Sequence, residues 1–99
     1  MPRPRRRRRV RGKPKKDCFK PAGTRKKDLE EVILTLDEAE ALRLKDKEEL
    51  AQKEAAKKMD VSQPTFNRIL RSARKKVSEA VLDGKVLRIE GGNYIIEED

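Results

Sequence analysis

Between Val61 and Ser78 the chain carries Arg68, Arg71, Arg74, Lys75 and Lys76 and no acidic residue, and Ser62, Gln63, Thr65 and Asn67 are interleaved with them. Together these side chains suit one kind of chemistry. A guanidinium donates two parallel hydrogen bonds to the edge of guanine, and a carboxamide pairs with adenine in the same two-point manner. Hydroxyls, ammonium groups and backbone amides at a helix start suit phosphate oxygens. By residue type, Gln63, Asn67, Arg68 and Arg71 are assigned to base edges, and Ser62, Thr65, Arg74 and Lys75 to phosphates. The competing interpretation is a charged, solvated face of a small bundle, which the surrounding elements must decide.

A second concentration of charge lies at the start. Residues 1–27 hold fourteen Lys and Arg against one acid, Asp17, a net of +13, whereas residues 28–99 net −4. The chain is a basic arm joined to a mildly acidic body. Such an arm fits a polyanion, because each phosphate neutralised by Lys or Arg releases condensed counterions. Arg5, Arg6, Arg7, Arg8 and Arg9 are its densest run, and the plainer alternative is a tail that only aids solubility. A membrane surface fits less well: Val10 is the arm's only aliphatic side chain before Cys18 and Phe19, and no apolar run is long enough to span a bilayer. No apolar stretch follows Arg5–Arg9 as a signal peptide would require, so a cytoplasmic location is expected.

Other chemistries are poorly supplied. Cys18 is the single cysteine and histidine is absent, which removes an intrachain disulfide, a Cys/His zinc site and histidine acid–base catalysis. The carboxylates are expected at helix starts and on exposed helix faces, and no Gly-rich phosphate loop or nucleophile–base pair accompanies them. Neither a cofactor nor an enzymatic activity is expected.

The elements that position these residues can be read from periodicity and end signals. Val32-Ile33-Leu34-Thr35 reads as a strand. Thr35-Leu36-Asp37-Glu38 has the form of a capping box and opens a first helix extending to about Asp46. A second, short helix runs from near Leu50 to Lys58, with Leu50, Ala51, Ala55 and Met59 facing inward. Met59-Asp60-Val61-Ser62 is a tight turn in which Asp60 takes a left-handed conformation, and Ser62 caps a third helix with Pro64 in its first turn. Phe66, Ile69, Leu70, Ala73, Val77, Ala80 and Val81 form that helix's apolar stripe, and Gly84 ends it. Val86–Glu90 and Tyr94–Glu97 flank Gly91-Gly92-Asn93, a hairpin signal, and this hairpin is expected to pair with the strand at Val32–Thr35 or with a second subunit. Residues 1–16 are expected to be disordered when free, and Phe19 is placed to tuck against the body.

A short helix, a tight turn and a longer helix with a basic outward face is the helix-turn-helix arrangement, in which the second helix enters the major groove. The segments Leu34–Leu44, Glu54-Ala55-Ala56, Val61–Leu70 and Ala73–Lys76 resemble the promoter-reading helix-turn-helix of bacterial sigma factors. With Met1–Arg5, Phe19–Gly23 and Gly84–Gly92, the whole chain resembles uncharacterised protein family 0251 (domain of unknown function 134), whose members are predicted DNA-binding proteins. The resemblance implies a sigma-type or winged-helix-like fold and a role in transcription. The chain departs from the pattern at Asp60, in place of a turn glycine, and at Glu49 and Ala51, in place of a glycine and a capping serine.

The expectation is therefore a mainly α fold: a three-helix, sigma-like helix-turn-helix with a small C-terminal β-hairpin and a disordered basic N-terminal arm. Residues 1–27 would be arm and connector, 28–84 the helix-turn-helix domain, and 85–99 the hairpin, in the same domain or at a dimer interface. The expected function is sequence-specific double-stranded DNA binding by a homodimeric transcriptional regulator. Two alternatives stay open. One is a non-specific architectural nucleic-acid binder. The other is a sigma-like interaction module that docks on RNA polymerase through an acidic surface including Glu38, Glu40, Glu48 and Glu49.

Overall fold

In the computed structural model, which describes residues 7–23, 25 and 29–96, the longest element is helix α3, Gln63–Asp83. Its end signals act as their chemistry requires. The Ser62 hydroxyl accepts a hydrogen bond from the Thr65 backbone N–H at 3.2 Å, Pro64 occupies the first turn where an N–H is dispensable, and Gly84 closes the helix at φ 66°. Helix α1, Leu36–Leu42, opens on a complete capping box. It continues as a π-helical turn over Arg43–Lys47, in which the Glu48 N–H donates to the Arg43 carbonyl at 2.8 Å. Helix α2, Gln52–Lys58, starts from an extended Ala51 that offers no capping side chain. Asp60 takes the expected left-handed conformation at φ 58°, and Glu49 does the same at φ 59°.

The helices converge on Ala41, Leu44, Ala55, Ala56, Met59, Phe66, Ile69 and Leu70, all buried. The alanines allow α2 to lie close against α3, and Phe66 and Met59 fill the space between them without solvent exposure. Leu34, Leu36, Ala73 and Ile89 form a second cluster where the strands meet α1 and α3. Two expected core positions lie outside: Ala51 is exposed, and Val81 is 72% exposed. Ala51 belongs to the cap rather than to the helical stripe, and Val81 falls on the outer side of the last turns, where Ala80 is the residue turned inward.

Strand β1 spans Arg8–Val10, β2 Cys18–Phe19, β3 Glu31–Leu34, β4 Val86–Ile89 and β5 Tyr94–Ile96. As expected, β4 joins β3, in a parallel register from Glu31 opposite Val86 to Leu34 opposite Ile89. Its other edge takes β2 antiparallel. The C-terminal hairpin is not formed: β5 pairs with β1 in parallel and lies in a different sheet from β4. The Gly-Gly segment crosses the start of α1 instead of reversing the chain. The Gly91 carbonyl accepts from the Leu36 N–H at 2.9 Å. Gly92, at φ 104°, sits where a Cβ would come within 2.5 Å of an Asp37 carboxylate oxygen. The second half of the hairpin signal is thereby carried to the arm.

The arm itself departs from the expected disorder at β1, where Val10 is buried. Residues 1–6 lie outside the described set. Phe19 does not tuck in, remaining 53% exposed. Among the described residues no helix is long and apolar enough to cross a membrane.

Candidate nucleic-acid interface

The burial of Phe66, Ile69, Leu70 and Ala73 fixes the rotation of α3 about its axis. Gln63, Asn67, Arg68, Arg71 and Lys75 consequently stand exposed on the opposite side, and Ser62 is exposed at the helix start. Thr65 is half-buried. Its hydroxyl accepts from Ser62 Oγ at 3.0 Å and from Arg68 Nη2 at 3.3 Å, so the cap also orients a guanidinium. At the turn, Gln52 Nε2 donates to the Gln63 carbonyl at 3.4 Å, tying the start of α2 to the start of α3.

Not every predicted cation is available. Arg74 donates to both carboxylate oxygens of Asp46, at 2.6 and 3.0 Å. That hydrogen bonding holds the Asp46 carboxyl below its ordinary value and raises the Arg74 guanidinium. A phosphate at Arg74 would compete with Asp46. In the arm, Arg7 is exposed, whereas Arg8 donates to Asp37 at 2.9 Å and is mostly covered. Arg9 has an exposed side chain, and its backbone N–H donates to the Met59 carbonyl at 3.0 Å. The arm therefore leaves the body beside the turn that precedes α3. Arg5 and Arg6 lie outside the described residues.

The carboxylates correct another expectation. Asp37, Glu38 and Glu40 are buried, not displayed, so half of the acidic surface envisaged for a protein partner is internal. Glu38 joins α1 to α3: it accepts from Thr35, from Lys76 Nζ at 2.7 Å and from the Ser72 hydroxyl. Burial pushes its carboxyl up, but the hydrogen bonds from Lys76, Ser72 and Thr35 together bring it below its ordinary value. Glu40 takes two bonds from Arg43 and one from the Arg11 backbone N–H. These ion pairs hold α1, α3 and the arm in register, which sets the exposed face of α3.

Sequence reasoning overlooked Lys53 and Lys57. Both are exposed on α2 and share a shallow cleft with Ser62 and Gln63. The available signal was their spacing of four residues, one turn of a helix already assigned. Among the described residues no group of three or more His, Cys, Asp or Glu is placed to hold a metal ion, and Cys18 is a half-buried free thiol.

Fold and site together define a small, mainly helical protein that turns a basic, amide-bearing helix face outward after a tight turn. The chain belongs to the family described as protein of unknown function DUF134, whose family model matches residues 1–97. It is 54% identical over 99 residues to a UPF0251 protein of Thermoanaerobacter sp. (strain X514), an alignment covering all of this chain and 88% of that relative. A UPF0251 protein of Caldanaerobacter subterraneus subsp. tengcongensis is 55% identical over 94 residues, 95% of this chain and 80% of the relative. One from Dehalococcoides mccartyi is 54% identical over 97 residues, covering 98% and 83% respectively. No solved structure shows a significant match.

Proposed function

We propose that this chain is a sequence-reading, double-stranded DNA-binding protein that regulates transcription in the cytoplasm, without catalysis of its own. In this reading α2, the turn at Met59–Ser62 and α3 form a sigma-like helix-turn-helix, and α3 lies in the major groove. One observation carries it. The helix that hides Phe66, Ile69 and Leu70 presents Gln63, Asn67, Arg68 and Arg71 to solvent together, the side-chain types that read purine edges. The protein acts as a homodimer, joined in part through the far end of α3, where Val81 and Leu82 are 72% and 81% exposed. A two-fold dimer places its half-sites roughly 10 base pairs apart.

The test is the double variant Arg68→Ala/Arg71→Ala, titrated by fluorescence anisotropy against a preferred duplex and a random one. Each lost base contact is expected to weaken the preferred complex by about 1–3 kcal/mol while hardly changing the random one. Equal weakening on both duplexes would assign the face to phosphates and favour the architectural alternative. Unchanged binding to both would favour a protein partner.

A further inference from the structure

The intramolecular ion pairs sort the cations into two populations. Arg8, Arg43, Arg74, Lys76, Lys85 and Arg88 each sit against a carboxylate of the chain. Lys53, Lys57 and Lys58 on α2 make no ion pair among the described residues, and all are exposed. Their placement adds to their charge. Lys57 lines two adjacent clefts, one shared with Lys53, Ser62 and Gln63 and the other with Lys58, Arg9 and Arg11. The bond from the Arg9 N–H to the Met59 carbonyl, at 3.0 Å, locks the arm against the end of α2. A continuous band of positive charge thus leads from the start of α3, over α2, to the arm. Four carboxylates also line these clefts, Glu40, Glu48, Glu54 and Asp60. Arg43 engages Glu40 and Glu48, and Glu54 and Asp60 are fewer than Arg9, Arg11, Lys53, Lys57 and Lys58.

Resting on the DNA-binding reading above, we infer that this band is a second contact surface, separate from the base-reading face of α3. Its ligand is the phosphodiester backbone bordering the groove that α3 enters. Lys53, Lys57 and Lys58 supply point charges that follow successive phosphates, and Arg11 extends the track onto the arm. The surface is indifferent to sequence, because ammonium groups at phosphates carry no base information. Its role is to fix the register and orientation of α3. The arm, stitched to the body by β1, serves as a positioned extension of this track.

The experiment compares the wild type with Lys53→Gln/Lys57→Gln/Lys58→Gln and with the matching triple arginine variant, measuring binding to preferred and random duplexes across a series of salt concentrations. The glutamine variant is expected to weaken both complexes by the same factor. It should also lower the slope of log affinity against log salt by about 0.9 for each lysine that meets a phosphate. The arginine variant is expected to keep the wild-type slope, and a thermal midpoint matching the wild type shows that the fold is intact. A wild type that binds duplex while the glutamine variant keeps its slope and affinity would overturn the inference and leave the function of α3 standing. Loss confined to the preferred duplex would overturn it too, since these lysines would then be reading bases. A wild type that binds no duplex would remove both readings together.

Discussion

At the residue scale, the least well-made feature is the start of α2. Ala51 has the extended backbone of an N-cap and no side chain to accept from the helix amides. Ser at such a position accepts one of the orphan N–H groups, so Ala51→Ser is expected to raise stability by about 1 kcal/mol; urea unfolding at neutral pH checks this. Glu38 makes a prediction about pH. Its folded carboxyl titrates below the ordinary value of 4.5, so below that value the unfolded chain binds a proton that the folded chain still refuses. The stabilisation is complete above the ordinary value and is lost as pH falls through the folded one. Thermal midpoints of the wild type and Glu38→Gln should therefore differ by a constant amount from neutrality down to about pH 4.5, and the gap should narrow on further acidification. A constant gap in strong acid would remove Glu38 as the link between α1 and α3.

At the element scale, α1 and α3 were legible because their signals are local: Thr35 and Glu38 make the box, and Ser62, Pro64 and Gly84 bracket an apolar stripe. The same locality misled at the C-terminus. Gly91-Gly92-Asn93 between two short strands reads as a hairpin turn, yet Gly92 serves a close approach to Asp37 and Thr35. The true partner of β5 lies 86 residues away in sequence, Arg8 opposite Tyr94, and no short-range pattern specifies such a pairing. Val10 was the available sign, an apolar residue in a run of cations, and it is 1% exposed. Most of the candidate site could be read from helix periodicity. The withdrawal of Arg8 and Arg74 into ion pairs could not, because Asp37 and Asp46 are brought to them only by the fold. If β1 is part of the folded unit, Val10→Asp buries an unpaired carboxylate and is expected to cost several kcal/mol, on the order of the 3–5 kcal/mol seen for uncompensated buried charge. Equal midpoints for wild type and Val10→Asp would return the arm to a free tail.

At the scale of the whole molecule, acidic side chains do structural work inside while basic side chains remain at the surface around α2 and α3. Asp37, Glu38 and Glu40 are buried and bind the chain's own cations, and Lys53, Lys57, Arg68 and Arg71 are exposed, as the proposed DNA contacts require. The most direct measurement of the central claim is selection of duplexes from a random pool by the full chain, followed by titration of the enriched and unselected duplexes at one salt concentration. The expected result is a short enriched motif bound at least about a thousandfold more tightly than unselected duplex, the lower end for specific complexes. A pool that stays random after repeated selection, or equal affinity for both duplexes, would contradict the assignment of α3 as a helix that reads sequence.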